Sequence, residues 1–284
     1  MNKYYNLKNI IHLDESYFDF DSQMNKKKDD NVCYKHSSGF YIFLTGNEIK
    51  KSDEYKYSDP YTVTQNFNSE FHQRRLRCTL ELIQDFGGTE DIKLLDLGCG
   101  QGHITNKIKE SFPKYEVNGL DYSVSAIEYA HRNFKGIDFI CADAYSLPYV
   151  DKYFDIVICN NLWEHVPDPI RLLQGIDRIL KLDGLLIIST PSRYRLSNLL
   201  RVLLGKEIKL ISKFHITEYT VGQVNEQLKF CNYVVKKIYS PSIKEFSFIL
   251  QLVKPFFRFI LKILGSHHIL ESTVFYSAIK KSEV

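Results

Sequence analysis

The stretch Leu94-Leu95-Asp96-Leu97-Gly98-Cys99-Gly100-Gln101-Gly102-His103 constrains this chain more than any other. The apolar run that begins at Ile92 reads as a buried strand, three alternating glycines break it, and helical spacing resumes at Ile104. Glycine supplies positive φ in a tight loop and leaves the backbone bare, so a ligand can approach the partly positive helix N-terminus. The spacing is Gly-x-Gly-x-Gly, and the third glycine of the dinucleotide fingerprint is replaced by His103. Nicotinamide and flavin binding are disfavoured on that ground. The Gly-Lys-Ser/Thr of a phosphate-binding loop is missing as well.

Further along the chain, Tyr115 to Leu120 reads as a second strand ending in Asp121, whose carboxylate could accept two hydrogen bonds from a ribose diol. A third strand, Ile137 to Cys141, leads into Ala142-Asp143-Ala144. Each acid could be a helix cap or turn residue on its own; their joint order favours binding. Together they resemble the S-adenosylmethionine site of class I methyltransferases, in the type 11, ubiquinone-biosynthesis O-methyltransferase-like group. The resemblance runs from Ile92 to Pro191. It implies S-adenosyl-L-methionine as cofactor, with Asp96, Gly98, Cys99, Gly100 and Gly102 at its amino-acid end. It further implies Asp121 at the ribose, Asp143 and Ala144 at the adenine, and Tyr122 and Asn160 as the remaining contacts.

The pattern predicts an α/β fold: strand 92–97, helix 102–112, strand 115–120, helix 123–134 capped by Ser123, and strand 137–141. A fourth strand, Phe154 to Cys159, a helix over 170–180 and a strand over 184–189 follow. Right-handed crossovers would place every strand's C-terminal end on one rim. The resemblance implies a Rossmann-like, seven-stranded, mostly parallel sheet with helices on both faces. Asn232 to Tyr239 would be its sixth strand and Thr273 to Lys280 its antiparallel last. Asp155, at the opposite end of its strand, reads as structural.

Residues 1–60 are polar and read as an N-terminal extension or lid with one strand-like patch, Gly39 to Leu44; residues 61–284 would form the methyltransferase domain. A helical stripe of Phe67, Phe71, Leu76, Leu80 and Ile83, stopping at Gly87-Gly88, predicts a helix over the cofactor mouth. Arg74, Arg75 and Arg77 are expected on its solvated face. Cys33 and His36 have knuckle-like spacing, but a structural zinc needs four ligands and no second pair follows, so no metal is assigned.

A chain of 284 residues can bury one main core with extensions. Its net charge of +3, with the signs interleaved, disfavours nucleic acid as a partner. The six cysteines include no C-x-x-C pair and read as reduced residues of a cytoplasmic protein. No apolar leader and no run long enough to span a bilayer is expected. Two apolar, basic insertions stand out, 193–213 and 243–264. The second draws a narrow polar line on a helix at Lys244, Ser247, Gln251, Lys254, Arg258 and Lys262, with Pro255 as a kink. That pattern fits a peripheral contact with the inner face of a membrane and equally a helix packed on the sheet or on a partner. Oligomeric state is not legible.

After the fourth strand, Asn161-Leu162-Trp163-Glu164-His165-Val166-Pro167-Asp168 resembles the Glu-His-Val-Pro-Asp stretch of the same group. Some members carry Glu-x-x-Glu-His, which can bind a divalent metal; Asn161 replaces the first Glu here. His165 is a candidate base, because imidazole titrates near neutral pH, or a loop-orienting group. His215 is the second candidate. The expected activity is methyl transfer from S-adenosylmethionine to an oxygen of a small or lipid-linked metabolite. A soluble sugar-type acceptor, and a non-catalytic binding or membrane adaptor on the same fold, are the alternatives.

Overall fold

The glycine turn hangs from β3 (Lys93–Leu97), the central strand of a sheet whose elements follow one another as the sequence pattern requires. The computed structural model describes residues 33–45, 47–49, 51, 69–87, 91–240, 256, 259–263, 265 and 272–281. In chain order they form β1 (Tyr34–Lys35), β2 (Tyr41–Phe43), α1 (Glu70–Phe86), β3, α2 (His103–Ser111) and β4 (Glu116–Asp121). Next come α3 (Val124–Asn133), β5 (Asp138–Ala142), β6 (Phe154–Asn160), a 3₁₀ turn (Trp163–His165), α4 (Pro169–Ile179) and β7 (Leu180–Pro191). The chain ends with α5 (Leu196–Leu203), α6 (Val221–Phe230), β8 (Tyr233–Tyr239) and β9 (Thr273–Lys280).

The spatial order is β1-β2-β5-β4-β3-β6-β7-β9-β8. From β5 to β8 this is the expected seven-stranded arrangement, with β9 antiparallel between β7 and β8. The seven-strand count needs correction, because nine strands are present among the described residues. The two additional ones come from the polar N-terminal region: β2 pairs parallel with β5 through Tyr41↔Ile140 to Phe43↔Ala142, and β1 folds back on it. Phe40, Ile42 and Leu44 are buried there, so this short piece covers an otherwise open sheet edge.

Side chains alternate across the sheet, and the alternation sorts the core into two layers. Leu94, Ile156, Ile158 and Ile187 face α1, α2 and α3 through Leu82, Ile83, Ile108 and Ile127. Leu95, Leu97, Val157 and Leu186 face α4 and α6 through Leu172, Leu173, Ile176, Val224 and Leu228. Helix starts follow local chemistry: Ser69, Ser123 and Asp168 accept from the backbone N–H three residues on, Pro169 opens α4, and Thr220 with Gln223 makes a capping box. Asp155 accepts from Lys93 N–H at 2.9 Å and Lys181 Nζ at 2.7 Å, clamping strand ends away from the rim.

The β3, β4, β5, β6 and β7 ladders are all parallel, so their C-terminal ends share one edge. Among the described residues no helix is long and apolar enough to cross a membrane. Most of the helix expected over 243–264 lies outside the described residues, and the described ones, 256 and 259–263, are helical.

Candidate active site

The three glycines after β3 take φ of +77° (Gly98), +53° (Gly100) and +74° (Gly102), the left-handed region that other residues enter only at a cost. A Cβ on Gly102 would stand 2.8 Å from Phe139 and 2.9 Å from Ala130, so conformation and space both require glycine there. Gly102 caps α2 in the left-handed conformation and makes no side-chain cap bond to its first turn. The turn is pinned from behind by Leu120, whose carbonyl accepts from Gly98 and Cys99 N–H at 2.8 and 3.0 Å.

A cavity of about 630 Å³ opens at this turn. Asp96, Gly98, Cys99, Gly100 and Asn160 line it from the sheet edge, and His165 and His215 line it from the far side. Asp96 and Asn160 lie on the same face of the sheet as α1 and α2, by the register of β3 with β6. Thr105 Oγ1 donates to Asp96 at 2.6 Å, and burial pushes this carboxyl up from 3.8 to about 6 against that bond and the nearby Arg75. Asn160 donates to Thr79 at 3.0 Å, while its buried Oδ1 has no hydrogen-bond partner. An orphaned buried acceptor in a cavity wall is a place for a ligand's donor.

Asp121 stands behind the turn: its Oδ2 accepts from Gly100 N–H at 2.8 Å and its Oδ1 from Ser123 N–H at 2.9 Å. It is buried, and burial raises its pKa against those bonds. Asp143 sits one strand over, its Oδ1 accepting from Tyr145 N–H at 2.8 Å. Gly102, Asp121, Tyr122, Asp143 and Ala144 are not in the wall of the 630 Å³ cavity; they continue the same sheet edge beyond the turn. Tyr122 Oη reaches back to the Glu48 carbonyl at 3.2 Å.

Opposite the turn, two imidazoles meet edge to face with centroids 5.0 Å apart. His165 Nδ1 lies 3.1 Å from the Phe214 carbonyl, and His215 Nδ1 lies 2.9 Å from Glu218 Oε1. Both partners only accept, so both rings donate from Nδ1, and the neutral form of each ring keeps its lone pair at Nε2. Burial, with the neighbouring His215, lowers the pKa of His165. Glu218 is fully buried, yet bonds from His215, Ile211 N–H and Arg195 hold its carboxyl below the ordinary value despite that burial. Arg195 also reaches the Lys209 carbonyl, so one buried ion pair ties the 193–213 segment to the cavity wall.

Glu164, adjacent in the loop, is fully buried; its oxygens accept from Asn161 Nδ2 at 2.9 Å and Thr190 Oγ1 at 3.0 Å. Burial raises its pKa. Its ligand atom and those of His165 and His215 lie within 4.8 Å of one another, a set able to hold a cation that the sequence reading did not assign.

The expectation of a solvated arginine face on α1 is also corrected. Arg74 is buried and Arg75 lines the cavity, where Nη1 donates to Asn161 at 3.3 Å; of the three only Arg77 is exposed. The helix turns 100° per residue, so Phe71, Arg75 and Thr79 form one stripe toward the sheet edge, a signal hidden by the apolar stripe beside it. Arg195 and Glu218, 23 residues apart, carry no local pattern that marks them as a pair.

The strand order, the left-handed glycine turn and the rim of acids define a class I, Rossmann-like methyltransferase fold. The crystal structure of magnesium protoporphyrin IX methyltransferase from Synechocystis PCC 6803 with bound SAH shares that fold, with TM-score 0.53 and 14% identity over 74% of this chain and 84% of that one. The sequence model of the methyltransferase domain matches residues 89–237, and the chain belongs to that family of S-adenosylmethionine-dependent enzymes. It is 31% identical over 111 residues to malonyl-[acyl-carrier protein] O-methyltransferase of Bacillus cereus, covering 38% of this chain and 41% of that protein. It is 35% identical over 96 residues to demethylmenaquinone methyltransferase of Thermotoga maritima, covering 34% and 42%. The matched stretch thus spans about two fifths of these relatives' length.

Proposed function

We propose that this chain transfers a methyl group from S-adenosylmethionine to an oxygen of a small or lipid-linked acceptor. The observation that carries the reading is two imidazoles with Nε2 lone pairs in the wall of the cavity that begins at the glycine turn. A relative that names an O-methyl product supports oxygen as the acceptor atom.

The residues present fit the cofactor. Asn160 Oδ1 and Asp96 are acceptors for its ammonium, Arg75 is a cation for its carboxylate, and the bare backbone of Gly98, Cys99 and Gly100 leaves room for its amino-acid end. Asp121 has unused lone pairs for a ribose diol, and Tyr122, Asp143 and Ala144 continue the edge toward the adenine. When bound, the sulfonium supplies an electrophilic methyl group and leaves as a neutral thioether.

The chain's own part is to align an acceptor oxygen and take its proton. His215 is the better base, because ionised Glu218 fixes its tautomer and stabilises the charged ring. His165, with its pKa lowered, stays neutral near pH 7 and can accept a hydrogen bond from the acceptor hydroxyl. Buried Glu164 offsets the positive charge that forms beside it.

A second reading rests on the ligand geometry of Glu164, His165 and His215. A divalent cation there would polarise the acceptor hydroxyl in place of a base. The Nδ1–H bonds to a carbonyl and a carboxylate are those that orient metal-bound histidines.

Incubation of the protein with methyl-labelled S-adenosylmethionine and a cell extract, followed by separation of lipid and aqueous fractions, tests the reading. Label should leave the cofactor and appear in an acceptor as an alkali-stable ether or an alkali-labile ester. No transfer to either fraction sinks it. Full transfer after chelator treatment would remove the metal-assisted version.

A further inference from the structure

The segment that closes the cavity also presents an apolar corner to solvent. Leu203 and Leu204 are 81% and 71% exposed, and Leu200, Val202 and Ile211 are each about half exposed. The corner is a tight helix end: Gly205 takes φ of +65°, its N–H bonds to the Val202 carbonyl, and Lys206 N–H bonds to the Arg201 carbonyl. The same stretch, residues 200–213, carries Arg201, Lys206, Lys209 and Lys213 against a single acid, Glu207. Folded proteins expose single aliphatic residues freely, but not consecutive ones on a projecting turn.

We propose that this face, residues 200–213, docks on an anionic lipid bilayer. Three observations select that occupant. The apolar residues of the corner are aliphatic and project from a turn, so they can enter the acyl boundary but form no shaped pocket for a partner's side chain. Three of the four cations are lysines, which protein interfaces disfavour and anionic headgroups attract. A second copy would bring the same cations against one another. The corner is also continuous with the cavity: Ile211 is 51% exposed and at the same time lines the wall, next to Ser212 and Phe214. Docking there sets the cavity rim at the headgroup level, where an acceptor carried by a lipid can reach it. Leu203, Leu204, Lys206 and Lys209 do not line the cavity, so docking and cofactor binding can each fail without the other.

The test is co-sedimentation of the full chain with vesicles of phosphatidylcholine alone or of an equimolar mixture with phosphatidylglycerol. Wild type should pellet with the anionic vesicles only and be released by added salt. The pair Leu203→Glu/Leu204→Glu and the pair Lys206→Glu/Lys209→Glu should each lower partitioning by roughly tenfold or more. Calorimetry with S-adenosylmethionine on the same variants checks that the cavity is intact; its affinity should stay at the wild-type value. Wild type that remains in the supernatant with anionic vesicles overturns the proposal, as do variants that pellet like wild type. A concentration-dependent dimer that the leucine pair dissolves, without vesicle binding, would assign the face to a second copy and overturn it too.

Discussion

Asp96 is the residue whose replacement separates stability from binding most sharply. It is buried, it accepts from Thr105 Oγ1 at 2.6 Å, and its pKa is raised from 3.8 to about 6. That gap corresponds to about 3 kcal/mol by which the folded state disfavours the ionised form. A carboxyl with a raised folded pKa destabilises the native state above that pKa. The penalty is full above about pH 6 and relaxes as pH falls toward the unfolded value near 3.8. Asp96→Asn keeps an oxygen for Thr105 and removes the charge, but brings an amide N–H₂ whose lack of an acceptor costs roughly 1–3 kcal/mol. The net stability at pH 8 should therefore change little or rise by up to about 2 kcal/mol. The difference between variant and wild type isolates the charge, because the amide cost does not depend on pH. Urea unfolding of both proteins at steps from pH 8 to pH 4 should show the variant losing about 2.5 kcal/mol relative to wild type, most of it below pH 6, so that the variant is the less stable of the two at pH 4. Calorimetry at pH 8 should show weakened S-adenosylmethionine binding in the same variant. A variant whose stability relative to wild type stays constant with pH, or rises on acidification, would refute the assignment of Asp96 as a buried, strained carboxylate.

Three further substitutions probe the rest of the site. Asp121→Ala removes a charged acceptor and leaves the Gly100 N–H without it; at about 1.5–3 kcal/mol, S-adenosylmethionine affinity by calorimetry should fall roughly tenfold to a hundredfold, and unchanged affinity would move the ribose elsewhere. Glu218→Gln gives one acceptor oxygen to three donors and leaves Arg195 buried without its counter-charge, so unfolding stability should drop by about 3–5 kcal/mol. The sign is opposite to that of Asp96: the Glu218 pKa is lowered, so its stabilisation is present above the ordinary carboxylate range and disappears on acidification, and the variant should match wild type in strong acid. Gly102→Ala places a Cβ within 2.9 Å of Phe139 and Ala130 at a φ of +74°, and thermal denaturation should report about 2–4 kcal/mol of lost stability.

Periodicity located the five strands β3 to β7 and the helices α2, α3 and α4 between them, because these elements bury one layer of side chains and the layer imposes its own repeat; it did not locate α6. Thr273 to Lys280 is the expected strand to the residue, an uncharged β-branched and aromatic run before its final lysine. The N-terminal edge strands were only half legible: β2 showed as a strand-like patch, whereas two-residue β1 is too short to carry a repeat. The polarity of the α1 arginines misled for a related reason. A charge run signals solvent on average, but Arg74 is buried and Arg75 turns to the cavity.

The amino-acid sequence alone determined the glycine turn, the strand-tip acids and hence the class of fold, since each rests on contacts between near neighbours whose spacing is written in the chain. Only the tertiary structure decided what surrounds the acceptor. Glu164, His165, Thr190, Arg195, His215 and Glu218 come from four segments, and their hydrogen bonds fix which imidazole nitrogen keeps its lone pair. A proton's position depends on partners that the chain brings together from a distance, and no repeat records such a meeting.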